Sequence, residues 1–553
     1  QAYDAVNRLT EVASAPAGSS AVSFTYDYNP ANQRVRRREG DGSYWRYEYD
    51  ALGQVRSGKK YWADGTPVAG QQFEYAFDDI GNRVWTGAGG DEGGTGLRPV
   101  SYNANALNQY TTRTVAGAVD VLGIAFATNS VTVNGQSVYR KGEYFRKELS
   151  VDNSSAPVWT SITVAATGQA SVSGQALVPK AQEPFWHDAD GNLLSDSLWT
   201  NLWNAENRLV LTESAAGVPT GARLRETWSY LPDGRWIERI VSTNSGLAYH
   251  PAWTNRYVWD GQVLLAILDH ANGLVMSFVR GLDLSGSMDG AGGVGGVLAV
   301  TFRSNGTHFA CYDGNGNVMA LTDAATGASS AVFEYGPFGE PVRVTGPAAA
   351  AMPLRFSTMV EDEVTGDRKY LFREYRPSLG RWLSRDPIEE KGGFNLYGFN
   401  YNNPIQFYDA DGRNPAVIVI GGVTVTVGEC AVLAVTTCMA IPPCRDALIE
   451  LVKTGVREIG DCLDKCRPRR KRCKPCNPAA GTTMYRTDVV PPSVPHWPHP
   501  GTHTHHYVVM QSPVTAPKPC FCWPMPTGVT GGATPAPGEI PEQPVTGGGV
   551  EYY

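Results

Sequence analysis

Cysteine is almost missing from the first three quarters of this chain. Of its ten cysteines only Cys311 precedes residue 430, so disulfide staples are excluded as the means of holding residues 1–429 together. Long apolar runs are missing too. The longest, 416–428 and 430–444, hold 13 and 15 residues on either side of Glu429, whereas a membrane-spanning helix needs about 18. They read as buried elements, with Val423, Val425 and Val427 alternating as in a strand. Charge is modest: 18% of residues are charged and the net charge is −7, which excludes nucleic-acid binding along the whole chain. There is no leader-like start. Gln1 falls inside a repeat, so the sequence reads as the C-terminal portion of a longer protein, and its beginning says nothing about secretion.

Glycine and proline, by contrast, are plentiful at 61 and 37 residues, and 42% of the chain is hydrophobic. That is a folded protein with many tight turns, and 553 residues exceed what one core organises. The chain repeats itself: YDAVNRLTEV from Tyr3, YDYNPANQRV from Tyr26, YDALGQVRSG from Tyr49 and FDDIGNRVWT from Phe77. The pattern returns as YNANALNQYT from Tyr102, HDADGNLLSD from His187 and WNAENRLVLT from Trp203. Tyr3, Tyr26 and Tyr49 are 23 residues apart. Trp45, Tyr47 and Tyr49 alternate with polar residues, giving each unit one aromatic and one wet face. Gly53, Gly81 and Gly191 sit where a hairpin needs a positive φ. A lone hairpin is marginal in water, so such units must stack.

Residues 1–110 and 183–300 are therefore read as hairpin repeats. The Thr- and Val-rich stretch 111–182 reads as a β-sandwich-like insert to which no chemistry is assigned. Repeat-like segments continue as RYVWDGQVLLAIL from Arg256, CYDGNGNVMALTD from Cys311 and EYGPFGEPVRV from Glu334. The glycine-rich GSMDGAGGVGG from Gly286 lacks a Gly-Lys-Ser/Thr ending, so it reads as a loop and not a nucleotide site.

Residues 301–412 close the repeats. Tyr375-Arg376-Pro377, Gly380 to Ile388 (GRWLSRDPI), Asn395-Leu396-Tyr397-Gly398, Asn403-Pro404 and the Asp409…Gly412 end resemble the core segment of bacterial RHS (YD-repeat) proteins. That group is related to the C components of insecticidal Tc toxins and to teneurins. The resemblance covers about 410 residues and implies an all-β fold: a spiralling β-hairpin shell with a sandwich-like insert and a separate tail. It also implies aspartyl self-cleavage behind the core, with Asp386 and Asp409 as the two carboxylates, Arg385 as the neighbouring arginine, and a scissile bond just after Arg413. Two carboxylates sharing one site suit that chemistry, because one holds a proton while the other stays ionised. Asp-Pro and Asp-Gly also favour turns, the other reading of both residues. The chain departs from the family pattern at Glu389 (usually Gly), at Ala410-Asp411 (usually Pro-x) and at Arg413 (usually Leu). The aspartates also stand one residue further apart than usual.

Residues 413–523 read as a variable, toxin-like mixed domain and 524–553 as a disordered Pro/Gly-rich tail. Leu448, Val452, Val456, Ile459, Leu463 and Cys466 are spaced as on an amphipathic helix. It ends in six basic residues among Arg467–Lys474, a solvated run or a contact for nucleic acid. Cys473, Cys476, His503, His505, Cys520 and Cys522 supply ligands that zinc prefers; disulfides and copper are the alternatives. A metal beside histidines and a basic run would suit a nuclease, although no nuclease signature is present.

The combined reading is the end of a bacterial delivery protein, secreted or at the cell surface, whose shell encloses its own C-terminal segment as cargo. The resemblance further implies interbacterial competition, an immunity protein and secretion-system components as partners, and membrane contact during delivery. The alternative is a surface-displayed structural or adhesive repeat protein with a cysteine-rich cap.

Overall fold

In the computed structural model, residues 1–246 and 248–413 are described in full. Beyond them the backbone is described for the strands Val417–Ile420, Val423–Thr426, Thr483–Val490, Gly501–Met510 and Trp523–Pro526. The fold is all-β, built almost wholly of antiparallel strands. Eleven form one sheet, from Ala2–Tyr3 through Tyr110–Thr114 to Gln182–Pro184, and fourteen form a second, from Trp186–His187 to Pro341–Thr345. Strand order within each sheet follows chain order, so nearly every pairing is a local hairpin. The spiral then returns on itself. Arg37 meets Asp313 at 3.2 Å, 276 residues later, and the Tyr75 hydroxyl meets Glu340 Oε1 at 3.0 Å, 265 residues later.

The turn chemistry explains the repeat. Asp50 Oδ1 accepts the N–H groups of Leu52 and Gln54, both at 2.9 Å, and Gln54 Nε2 donates back to Asp50 Oδ2 at 2.8 Å. Gly53, three residues after the aspartate, has φ +82°. Asp78, Ile80, Asn82 and Gly81 repeat the arrangement. The carboxylate thus satisfies amides that a bare turn leaves to water. The tyrosine before it ties the unit to its predecessor. Tyr49 OH donates to the Arg34 carbonyl at 2.6 Å, and Tyr28 OH to that of Leu9 at 2.7 Å.

Two repeats start later than the Tyr26 and Tyr102 positions expected. Their turns are closed by Asn29, whose N–H reaches the Gln33 carbonyl at 3.0 Å, and by Asn105, whose N–H reaches that of Gln109 at 2.8 Å. The turn needs a left-handed residue three positions on. Asn32 (φ 60°) and Asn108 (φ 61°) provide it, whereas Asp27 would require it of Pro30, whose ring forbids it. Asp27 instead lies in a strand and pairs with Arg36 and Arg38.

Between Tyr110–Thr114 and Gln182–Pro184 the chain leaves the wall and returns, and these two strands pair directly, Thr112 opposite Pro184. The excursion forms two small sheets of three and four strands around Val131, Val133, Phe145 and Leu149. Further on, Val417–Ile420 and Val423–Thr426 make a two-stranded hairpin. In the separate unit 465–553, the last three described strands form one antiparallel sheet.

The segment 353–412 packs inside the wall. Tyr375 stacks on Phe399 with centroids 3.7 Å apart, and Trp382 sets its ring at steep angles to Tyr370, Tyr375 and Phe399. Its polar side chains seek the wall's turns. Asn403 Nδ2 donates to the Gly53 carbonyl (3.0 Å), Asn402 Nδ2 to that of Gly81 (2.8 Å), Arg381 Nη2 to that of Asn108 (2.5 Å) and Tyr397 OH to that of Gly191 (2.8 Å). Each acceptor is the left-handed residue of a repeat turn. The asparagine-rich sequence of the core is thus a set of plugs for those sockets.

Asn402 also donates to Gln54 Oε1 at 2.8 Å. Asn402→Ala strands a buried acceptor on Gln54 and a part-buried one on Gly81 and is expected to destabilise the fold by about 2–4 kcal/mol. Asn105→Ala, at a partly exposed turn, should cost about 1 kcal/mol. Urea unfolding followed by tryptophan fluorescence checks the difference; equal losses would contradict the role given to the core–turn bonds.

Candidate active site: two aspartates around Arg373

Each aspartate is set by its own turn. Asp386 N–H bonds the Leu396 carbonyl at 2.9 Å, and its Oδ1 accepts the Ile388 N–H at 2.9 Å. A Cβ on Gly392 would fall 2.5 Å from Asp386 Oδ2, so only glycine lets the turn close over this carboxylate. Asp409 Oδ1 accepts the N–H groups of Gly412 (2.7 Å) and Asp411 (3.1 Å). The glycine-rich loop supports this second turn. A Cβ on Gly292 would lie 1.8 Å from the Ala410 carbonyl oxygen, so the loop backbone presses directly on it. The loop's own amides are taken by Asp283: Oδ2 accepts from Ala291 (2.6 Å) and Gly293 (3.1 Å), and Oδ1 from Ser285 (2.8 Å). A carboxylate of the chain occupies the place a phosphate would need.

The two carboxylates meet at Arg373. Its Nη2 lies 2.8 Å from Asp386 Oδ2 and 3.7 Å from Asp409 Oδ2. Its Nε donates to the Gly412 carbonyl, and its guanidinium sits 4.2 Å from the Trp382 ring centroid. Arg373 is 1% exposed and Asp409 0%, so these charges interact with little screening by water. Arg385, the arginine expected beside the pair, packs against the Gly191 turn at a cleft that Asp386 also lines. A Cβ on Gly191 would lie 2.4 Å from Arg385 Nε, and Arg385 forms no ion pair with either aspartate among the described residues. It lines a cleft that also reaches Asp190, Glu206 and Asp386.

Burial pushes the Asp409 carboxyl up to about 7, against the pull of Arg373 and with a further push from the Asp411 charge. Burial also raises Asp386, opposed by Arg373. A carboxyl that holds its proton up to about pH 7 thus lies near a second carboxyl in close contact with a cation, a pairing suited to acid–base hydrolysis. Arg373 was not singled out from the sequence, and Asp411 only as a departure from the family pattern. Arg373 is one of five arginines between residues 368 and 385, and no local pattern marks it.

The expected zinc ligands Cys473, Cys476, Cys520 and Cys522 lie outside the described residues. His503 and His505 fall on the strand Gly501–Met510, described only as backbone. The helical spacing at 448–466 and the basic run also lie outside them.

Glu389, where the family pattern has glycine, adopts φ 56°, a left-handed conformation that costs a side-chain-bearing residue about 1–2 kcal/mol. Glu389→Gly is expected to stabilise the fold by about 0.5–1 kcal/mol net of glycine's greater unfolded-state freedom. Thermal or urea unfolding checks it; destabilisation would contradict the strain.

No family profile matches the chain. Among curated proteins it is 24% identical over 444 residues to toxin subunit YenC2 of Yersinia entomophaga, covering 72% of this chain and 41% of that protein. It is 23% identical over 408 residues to the probable deoxyribonuclease RhsA of Dickeya dadantii, covering 71% and 24%. The WapA tRNA nucleases of Bacillus match over 43–44% of this chain at 25–26% identity, and the chain spans only a tenth of their length. Among solved structures, a TcdB2-TccC3-TEV crystal structure aligns with 74% of this chain and 20% of its own at 17% identity, with a TM-score of 0.36. The repeat turns and the closing core segment agree with the curated relatives YenC2 and RhsA: over some seven tenths of its length the chain is similar to RHS-type toxin proteins.

Proposed function

We propose that this chain is the shell and core of a delivery protein, and that the core hydrolyses the Arg413–Asn414 bond to free residues 414–553 as cargo. The observation that carries the reading is the meeting of Asp386 and Asp409 at one guanidinium nitrogen, with that guanidinium also bonded to the carbonyl of Gly412. Asp386, in closer contact with Arg373 and beside the cleft, stays ionised and takes a proton from the attacking water. Asp409 keeps its proton near neutrality and donates it to the carbonyl oxygen of Arg413 as the hydroxyl adds to the carbon. Collapse of the adduct breaks the C–N bond. Asp386 passes the proton it accepted to the departing nitrogen of Asn414, and the carbonyl proton returns to Asp409.

Containment is the physical reason for a shell. A wall of stacked hairpins keeps a partly folded cargo from its surroundings until export. The cargo is then the chain's own C-terminal segment, a toxin-like domain carrying the basic run and the Cys/His set. Zinc at that set, nucleic acid as its target, an immunity protein, secretion-system components and membrane contact during delivery belong to the same proposal.

Expression of residues 1–553 with intact-mass measurement should yield a C-terminal fragment of 140 residues beginning at Asn414. Asp386→Asn is expected to abolish it. The sign of the pH dependence follows from Asp409: its raised affinity for a proton means the active form is lost as pH rises through about 7, so cleavage should slow above that pH. A fragment that persists in Asp386→Asn, or a rate that climbs through and beyond pH 7, would contradict the assignment.

A further inference from the structure

The chain's two departures at the end of the core, Asp411 and Arg413, face each other. Arg413 Nη2 and Nε donate to Asp411 Oδ2 at 2.8 and 3.1 Å, and the Arg413 N–H donates to Asp411 Oδ1 at 2.9 Å. The Arg413 guanidinium carbon lies 3.7 Å from the Phe372 ring centroid, a close cation–π contact. Phe372 is itself fixed, because its N–H donates to the Asp411 carbonyl at 3.0 Å. The Asp411 side chain is 7% exposed and that of Arg413 37%, so a mostly buried carboxylate points at a half-open cation. With the Arg373–Gly412 bond, two consecutive residues, Phe372 and Arg373, grip Asp411, Gly412 and Arg413 in turn.

A leucine at 413 would have no use for a carboxylate at 411, and an unpaired carboxylate at 411 would be costly where it is buried. The two residues make sense together. We propose that Asp411 and Phe372 form a subsite that selects arginine at position 413 and so fixes which peptide bond is presented to the aspartate pair. The inference rests on the self-cleavage reading and adds to it a specificity that the family pattern, with leucine at that place, does not contain. Asp411 then has two tasks. It seats Arg413, and its charge works on the aspartates: Asp409 is faced by Arg373, Asp411 and the Tyr370 hydroxyl, and Asp386 by Arg373 and Asp411. Arg413 and Phe372 are positioning residues, since the reaction is carried by Asp386 and Asp409.

The test follows fragment release from the full 553-residue chain by intact mass over time. Arg413→Met, Phe372→Leu and the double variant Phe372→Leu/Arg413→Met are compared with the parent, with Arg413→Lys as the conservative variant. Each single change is expected to slow release about tenfold, and the double to be no slower than the worse single, since both remove one contact. Arg413→Lys should recover part of the rate. Asp411→Asn supplies a readout that mere support of the fold would not move. Removing its charge should shift the falling limb of the pH–rate profile to lower pH, with urea unfolding run alongside to confirm that each variant is folded. Arg413→Met cleaving at the parental rate, fully additive effects in the double variant, or an unmoved pH limb in Asp411→Asn would each overturn the subsite. If the parent releases no fragment, the self-cleavage reading and the subsite fall together; if it does and the variants match it, only the subsite falls.

Discussion

The structure depends on a hydrogen bond made over and over: a carboxylate or carboxamide oxygen accepting backbone amides two and four residues ahead of it. At Asp50 and Asp78 the second oxygen also receives the side chain four residues on. Each turn becomes a closed ring that presents to the core the carbonyl of its left-handed residue, joined at Gln54 and Asn82 by a side-chain oxygen. Those carbonyls are what the core segment binds. Remove the ring and the hairpin loses its turn and the core loses a socket. Local chemistry and long-range assembly therefore use the same few atoms.

The core pays for its position in buried charge, and that charge has a structural consequence. Arg368, Arg373 and Arg376 are all buried, and each has a carboxylate partner: Glu361 at 2.7 Å, Asp386 at 2.8 Å, and Asp367 at 2.7 Å with Asp196 at 2.5 Å. Asp196 belongs to the wall. Taking such ions out of water is unfavourable unless every partner is in place, so the core is stable only once the wall around it has formed. The aspartate pair inherits this order, since Arg373 can gather Asp386 and Asp409 only when the whole segment is packed.

Much of this could be read in the sequence because the repeat is local. Tyrosine, aspartate, then glycine or asparagine three residues later encode a turn with a mechanism, and the all-β spiral follows. The phase at Tyr28-Asn29 could have been read as well, because Pro30 rules out the alternative. The aspartates were found by their positions in the family resemblance, since their local contexts mark them equally well as turn residues. Arg373 did not, because its importance lies in a meeting of residues 373, 386, 409 and 412 that no spacing reveals. The departures at Asp411 and Arg413 were visible one at a time, but their pairing needed the backbone to curl so that both met Phe372. Glu389 shows the same limit, since its strain is a property of φ and not of the residue.

Hydrogen exchange followed by mass spectrometry tests the central claim most directly, that wall turns and core are one cooperative structure joined through the turn carbonyls. The account predicts that peptides around residues 50–54 and 78–82 exchange slowly and on the same time course as those covering 370–412. Turn peptides that exchange quickly and independently while the core stays protected would contradict it.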